Sequence, residues 1–177
     1  ATDTTIFGTQ AMVPNSAEDQ SDKLQTLLSQ TAKEGNALFL PQGSYALSKD
    51  ITVSSNYQLI GDTTGATILH NATGTPIQLK DTTYGTKTNV RLQNIAFDGI
   101  NVTLKLTNQL TLANNIFYNP LKGFVVNLNA DIGVKISGNI FMRDTAHMQP
   151  KIDFNRAIYI GGYSTPSRFQ YMSDVDI

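Results

Sequence analysis

Between residues 76 and 177 the sequence writes one short unit about four times. Each unit holds three apolar-alternating runs, separated by Asn, Gly, Asp or Ser. Val90, Leu110 and Val134 share one place in the middle run, and Phe97, Phe117 and Phe141 share one in the third. Both series step by 20 residues and then by 24. A unit this short cannot bury a core of its own. It must stack on its neighbours, which is the mark of a solenoid. Three runs of period 2 per unit predict three strands per coil, an all-β parallel β-helix. A leucine-rich repeat fits less well, because no unit offers a helical segment or a regular leucine frame. Strands of an ordinary sandwich are the plain alternative. The fourth unit is read as 157–160, 168–171 and 174–177.

Composition narrows the partner. Charged residues make up only 15% of the chain, and the polar surface is left to Asn, Thr, Ser and Gln. Cys is absent, so neither a disulfide framework nor a Cys-based metal site exists. No apolar run reaches the 18 or more residues of a membrane span. The net charge of −1 hides an asymmetry: residues 1–62 carry three basic and seven acidic groups, residues 63–177 ten and seven. The coils therefore carry a mild positive excess. It is too sparse for a nucleic-acid stripe but suits an anionic ligand of lower charge density.

Ahead of the repeats, Leu24, Leu27, Leu28 and Thr31 fall at helical spacing. Ser16 with Asp19 reads as a capping pair, and Gly35-Asn36 as a stop. The spacing predicts a helix over about 16–34 that covers the first coil of a solenoid running from 37 to 177. Asn94 and Asn114, with Gly138 in the next copy, are placed at corners that need a left-handed backbone.

A helix followed by Ala37-Leu-Phe-Leu-Pro-Gln-Gly-Ser-Tyr45, Leu59-Ile-Gly-Asp62 and Ala66-Thr-Ile-Leu69 resembles the N-terminal part of pectate-lyase-like right-handed β-helix proteins. The match runs over roughly residues 16–70. It implies a right-handed parallel β-helix with an N-terminal capping helix, from a superfamily of polysaccharide lyases, glycoside hydrolases, uronan epimerases and phage tailspikes. In style the chain is most similar to secreted bacterial polysaccharide lyases, alginate lyases above all. That resemblance implies an extracellular protein acting on a uronate polymer.

Alternation along the first run of each unit turns Gln78, Lys105, Asn127 and Tyr159 outward. Stacking in register is expected to set them in one column, about 4.8 Å per step. Such a column offers donors for carboxylates and hydroxyls along an extended sugar chain. An insertion at residues 142–156 leads into Tyr159 and carries Arg143, His147, Lys151 and Arg156. Long loops in compact folds often carry function. For β-elimination, Gln78, Lys105, Asn127, Arg143 and Arg156 would bind substrate and neutralise its carboxylate. Tyr159, His147 and Lys151 are the candidates for proton transfer, with adjacent cations favouring a phenolate. His70, alternating within an early strand, reads as structural. Hydrolysis would need two carboxylates facing one cleft, and no acid falls in this column. The Asp-Pro-His signature of uronan epimerases is absent. No cofactor and no metal are expected in the chemistry. A tailspike- or adhesin-like β-helix that binds glycans without turnover is the rival reading. A second chain or a C-terminal fragment is expected to complete the solenoid beyond the last coil.

Overall fold

The computed structural model describes residues 5–7, 12–81, 87–118, 124–129, 132–142, 156–161, 163–165, 168–170 and 173–176. They form an all-β parallel solenoid with one helix near the N-terminus among the described residues. Sheet A takes β1 (Thr5–Phe7), β2 (Ala37–Leu40), β5 (Gln58–Gly61), β8 (Lys87–Gln93), β11 (Thr107–Ala113), β14 (Ile132–Ser137) and β19 (Ser173–Asp176). Sheet B takes β3 (Gly43–Leu47), β6 (Thr67–Asn71), β9 (Ile95–Asp98), β12 (Ile116–Tyr118) and β15 (Ile140–Phe141). Sheet C takes β4 (Ile51–Val53), β7 (Ile77–Asp81), β10 (Ile100–Lys105), β13 (Phe124–Asn129) and β16 (Arg156–Gly161). From β2 onward the chain visits A, B and C in turn and then moves one step along the axis.

Along the coils from β2 to β16, alternation sends one set of side chains into the shared interior, where like stacks on like. Sheet A supplies Leu38, Leu59, Leu92, Leu112 and Ile136 in register. Sheet B supplies Tyr45, Leu69, Phe97, Phe117 and Phe141. Sheet C supplies Ile51, Leu79, Val102, Val126 and Ile158. The three Phe rings stack nearly parallel, with centroids 4.9 and 5.1 Å apart. The two spacings read from the sequence are therefore the lengths of the two coils that separate these phenylalanines.

The A-to-B corner works as expected and adds a feature. Asn94, Asn114 and Gly138 hold φ of 59°, 55° and 65°. The ladder of side-chain hydrogen bonds is built by the residues that follow, Asn115 and Asn139, which reach Leu92 O and Leu112 O in the coil below at 2.9 Å each. At Gly61 a Cβ would collide with the backbone carbonyl of Asn94, which explains the glycine in the Leu59–Asp62 motif.

The helix α1 spans Ser21–Glu34 rather than starting at Ser16. Ser16 instead bridges to Tyr45, and Asp19 sits ahead of the helix. Asp19 Oδ1 accepts from the Ser21 N–H and hydroxyl and from the Ser48 N–H. Partial burial pushes its carboxyl up, but the hydrogen bonds from Ser21 and Ser48 outweigh this and hold it at about 2. The sequence pair was a real polar signal, spent on fastening the helix to the first coil. Leu24 and Leu28 are buried against that coil, and Gly35 ends the helix in a left-handed conformation. The N-terminal edges of all three sheets are covered: β2 by β1, β3 by contacts from residues 15–20, and β4 by the Gln25 amide, which pairs with both backbone groups of Thr52.

The fourth unit differs from the expected phase. Ser173–Asp176 pairs with β14, so it is the middle run, with Val175 beside Val134. Arg168–Gln170 (β18) pairs antiparallel with Tyr163–Thr165 (β17) as a side hairpin. Both segments alternate, and period alone cannot tell a hairpin arm from a coil strand.

Candidate functional site

The outer face of sheet C carries a polar column of five register positions. Thr52, Lys80, Thr103, Asn127 and Tyr159 are successive register partners on β4, β7, β10, β13 and β16. Leu79, Val102, Leu104, Val126 and Leu128 are buried on the opposite face of these strands, which forces the residues between them outward. Four steps of about 4.8 Å make a track of roughly 19 Å.

This column corrects the one expected from the sequence. Gln78 lies opposite Asn101, not Lys105, and Lys105 lies opposite Asn129, not Asn127. Thr103 and Lys80 occupy the places assigned to Lys105 and Gln78. The reason is that β10 is a six-residue alternating strand beginning at Ile100, two residues earlier than the apolar run suggested. A slip of one residue would put apolar groups into solvent, but a slip of two preserves every inward position. Gln78 and Lys105 remain on the same outer face, one pleat to either side of the column.

Local bonds tie these groups together. The Thr103 hydroxyl donates to Gln78 Oε1 at 2.8 Å, and Asn129 Nδ2 donates to Asn127 Oδ1 at 2.8 Å. Lys80 Nζ pairs with Asp50 Oδ2 at 3.1 Å, both half-exposed, while Asp50 Oδ1 accepts from the Gln78 N–H. An acid thus stands beside the column although none lies in it. Deeper, at the corner between sheets C and A, Lys87 and Asp81 form an ion pair at 3.1 Å with side chains 4% and 6% exposed. Lys87 Nζ also donates to Lys105 O, so this pair fixes the end of β10.

Of the loop candidates, Arg143, His147 and Lys151 lie outside the described residues. Arg156 begins β16 opposite Phe124, and Tyr159 lies opposite Asn127. The sequence reading missed a second polar pair. His70 Nδ1 and Asp98 Oδ2 are 2.6 Å apart on the outer face of sheet B, with Tyr118 the next register partner. The signal was present: His70 follows Leu69 as Asp98 follows Phe97 and Tyr118 follows Phe117.

Stacked strands of this kind define a parallel β-solenoid with a lateral polar track. Residues 9–88 match the family model described as "Rhamnogalacturonase A/epimerase, pectate lyase-like". The pectate-lyase-like resemblance read from 16–70 falls inside that range. Among solved structures, the chain is similar to PfbA, a surface adhesin of Streptococcus pneumoniae, with a TM-score of 0.66 and 13% identity. That likeness covers 78% of this chain and 39% of the adhesin chain, and at this identity it speaks for the fold alone. No curated protein matches the chain.

Proposed function

We propose that the chain is an extracellular polysaccharide lyase that lays an anionic uronate polymer, alginate in the first instance, along the outer face of sheet C. The observation that carries this reading is the unbroken register from Thr52 through Lys80, Thr103 and Asn127 to Tyr159. It presents hydroxyl, ammonium and amide groups at a regular interval, with Tyr159 at the next register position, as an extended chain of repeating hydroxyls and carboxylates requires. In β-elimination, Lys80, Lys105 and Asn127 stabilise the charge that spreads onto the C6 carboxylate as C5 loses its proton. A proton acceptor takes that proton, the electron pair forms the C4–C5 double bond, and the C4–O4 bond breaks. O4 leaves with a proton supplied by the same or a second group. Tyr159 is assigned this transfer, with His147 and Lys151 as the loop groups able to share it, and Arg143 and Arg156 as further carboxylate partners.

A second reading is binding without turnover. It is favoured by the Asp50–Lys80 ion pair, which offsets the cation within the column. That PfbA is described as a surface adhesin is in keeping with it. Incubation with alginate, pectate and other uronans separates the two. Growth of ultraviolet absorbance from unsaturated product supports the lyase. Saturable binding with no absorbance from any of them supports the adhesin-like role.

A further inference from the structure

The geometry points to a second saccharide site, for a neutral hexose chain, on the outer face of sheet B. Here the outward column is apolar: Ile68, Ala96, Ile116 and Ile140 are register partners, and Ile140 is 52% exposed. A groove of about 390 Å³ runs over Ala96 and Ile116, within the range of small-ligand sites. Its rim is polar, with Asp62 and Thr63 on the loop after β5 and Asn94 and Asn114 at the corner. Two residues further along the same strands, roughly 7 Å away, stands the His70–Asp98 pair. Its side chains are 46% and 17% exposed. Asp98 engages Nδ1, so Nε2 is the ring nitrogen left to meet a ligand hydroxyl.

Three observations define the ligand. Among the described lining residues there is no Lys or Arg and Asp62 is the one charged group, so a uronate or phosphate finds no counter-charge there and meets repulsion. The strands beneath, β6, β9 and β12, are each hydrogen-bonded on both sides, so an extended peptide finds no free edge to join. What remains is an uncharged ligand with an apolar face and a hydroxylated edge, and a pyranose ring has that form. Its C–H face lies on Ala96 and Ile116, and its hydroxyls meet Thr63, the corner amides and His70. The site is separate from sheet C and does not depend on the uronate reading.

The test is calorimetric titration of the whole chain with neutral gluco- and manno-hexasaccharides and, in parallel, with uronate hexamers. Wild type binds a neutral hexasaccharide. Ile116→Arg, which crowds the floor with charge, and Thr63→Trp, on an exposed loop where folding is not at stake, each weaken it about tenfold or more. His70→Ala weakens it less, and Lys80→Ala leaves it unchanged. Uronate binding shows the reverse pattern. Failure of both neutral ligands to bind wild type overturns the proposal. So does neutral binding that survives Thr63→Trp and Ile116→Arg in chains of unchanged melting temperature. Loss of uronate binding alone would count against the sheet C reading only.

Discussion

Two adjacent asparagines at one corner should respond to mutation in different ways. Asn115 is fully buried. Its Nδ2 donates to Leu92 O at 2.9 Å, its Oδ1 accepts from the Ile95 N–H at 3.1 Å, and its own N–H reaches Asn139 Oδ1 at 3.1 Å. Asn115→Ala strips the first two bonds and leaves a buried carbonyl and a buried amide unmatched. Each costs about 1–3 kcal/mol, so a loss of about 3–4 kcal/mol is expected. Asn114 is exposed, and its φ of 55° is its main structural commitment. Asn114→Ala should cost about 1–2 kcal/mol, the strain of a Cβ in the left-handed region, and Asn114→Gly should be nearly neutral. Equilibrium urea unfolding, with slopes compared as well as midpoints, measures all three. An Asn115→Ala loss no larger than that of Asn114→Ala would refute the claim that the buried ladder, and not turn propensity, holds the corner.

Lys87→Met should cost about 3–5 kcal/mol because it strands Asp81 in a buried site; the double variant with Asp81→Leu should recover much of this in the same unfolding assay. Asp19 has a folded value of about 2, below that of an unfolded carboxylate. Its contribution is therefore complete above about pH 4 and is lost as the pH falls through about 2. Asp19→Asn should flatten the melting temperature across that window, and an unchanged acid slope would argue against the helix fastening. Lys80→Ala and Asn127→Ala should each weaken uronate binding while shifting the melting temperature little, since both side chains are outward and only partly covered. Large stability losses with binding intact would make the column structural.

The solenoid was legible because a repeat exposes itself twice, in period and in spacing. Val90, Leu110 and Val134, and the three phenylalanines, align in sequence as they do in space. The column on sheet C was legible only as a face. Ile100 extends β10 by one inward position, and no inward residue objects to a slip of two, so the partners of Gln78 and Lys105 were misassigned. The helix start was misread because Ser16 and Asp19 have a capping spacing, while their bonds go to the first coil across the chain. His70 and Asp98 are 28 residues apart, a coil length different from the two used to align the repeats, and so the pair passed unseen.

The central claim is that sheet C performs proton transfer on a bound uronate, and Tyr159→Phe tests it most directly. The substitution removes one hydroxyl from the strand that pairs with Asn127. Initial rates of unsaturated product formation, measured with the binding constant for the same polymer, give turnover and affinity separately. The account predicts a rate loss of at least about a hundredfold with binding retained. Turnover close to that of the wild type would contradict it and move the proton transfer to His147 or Lys151.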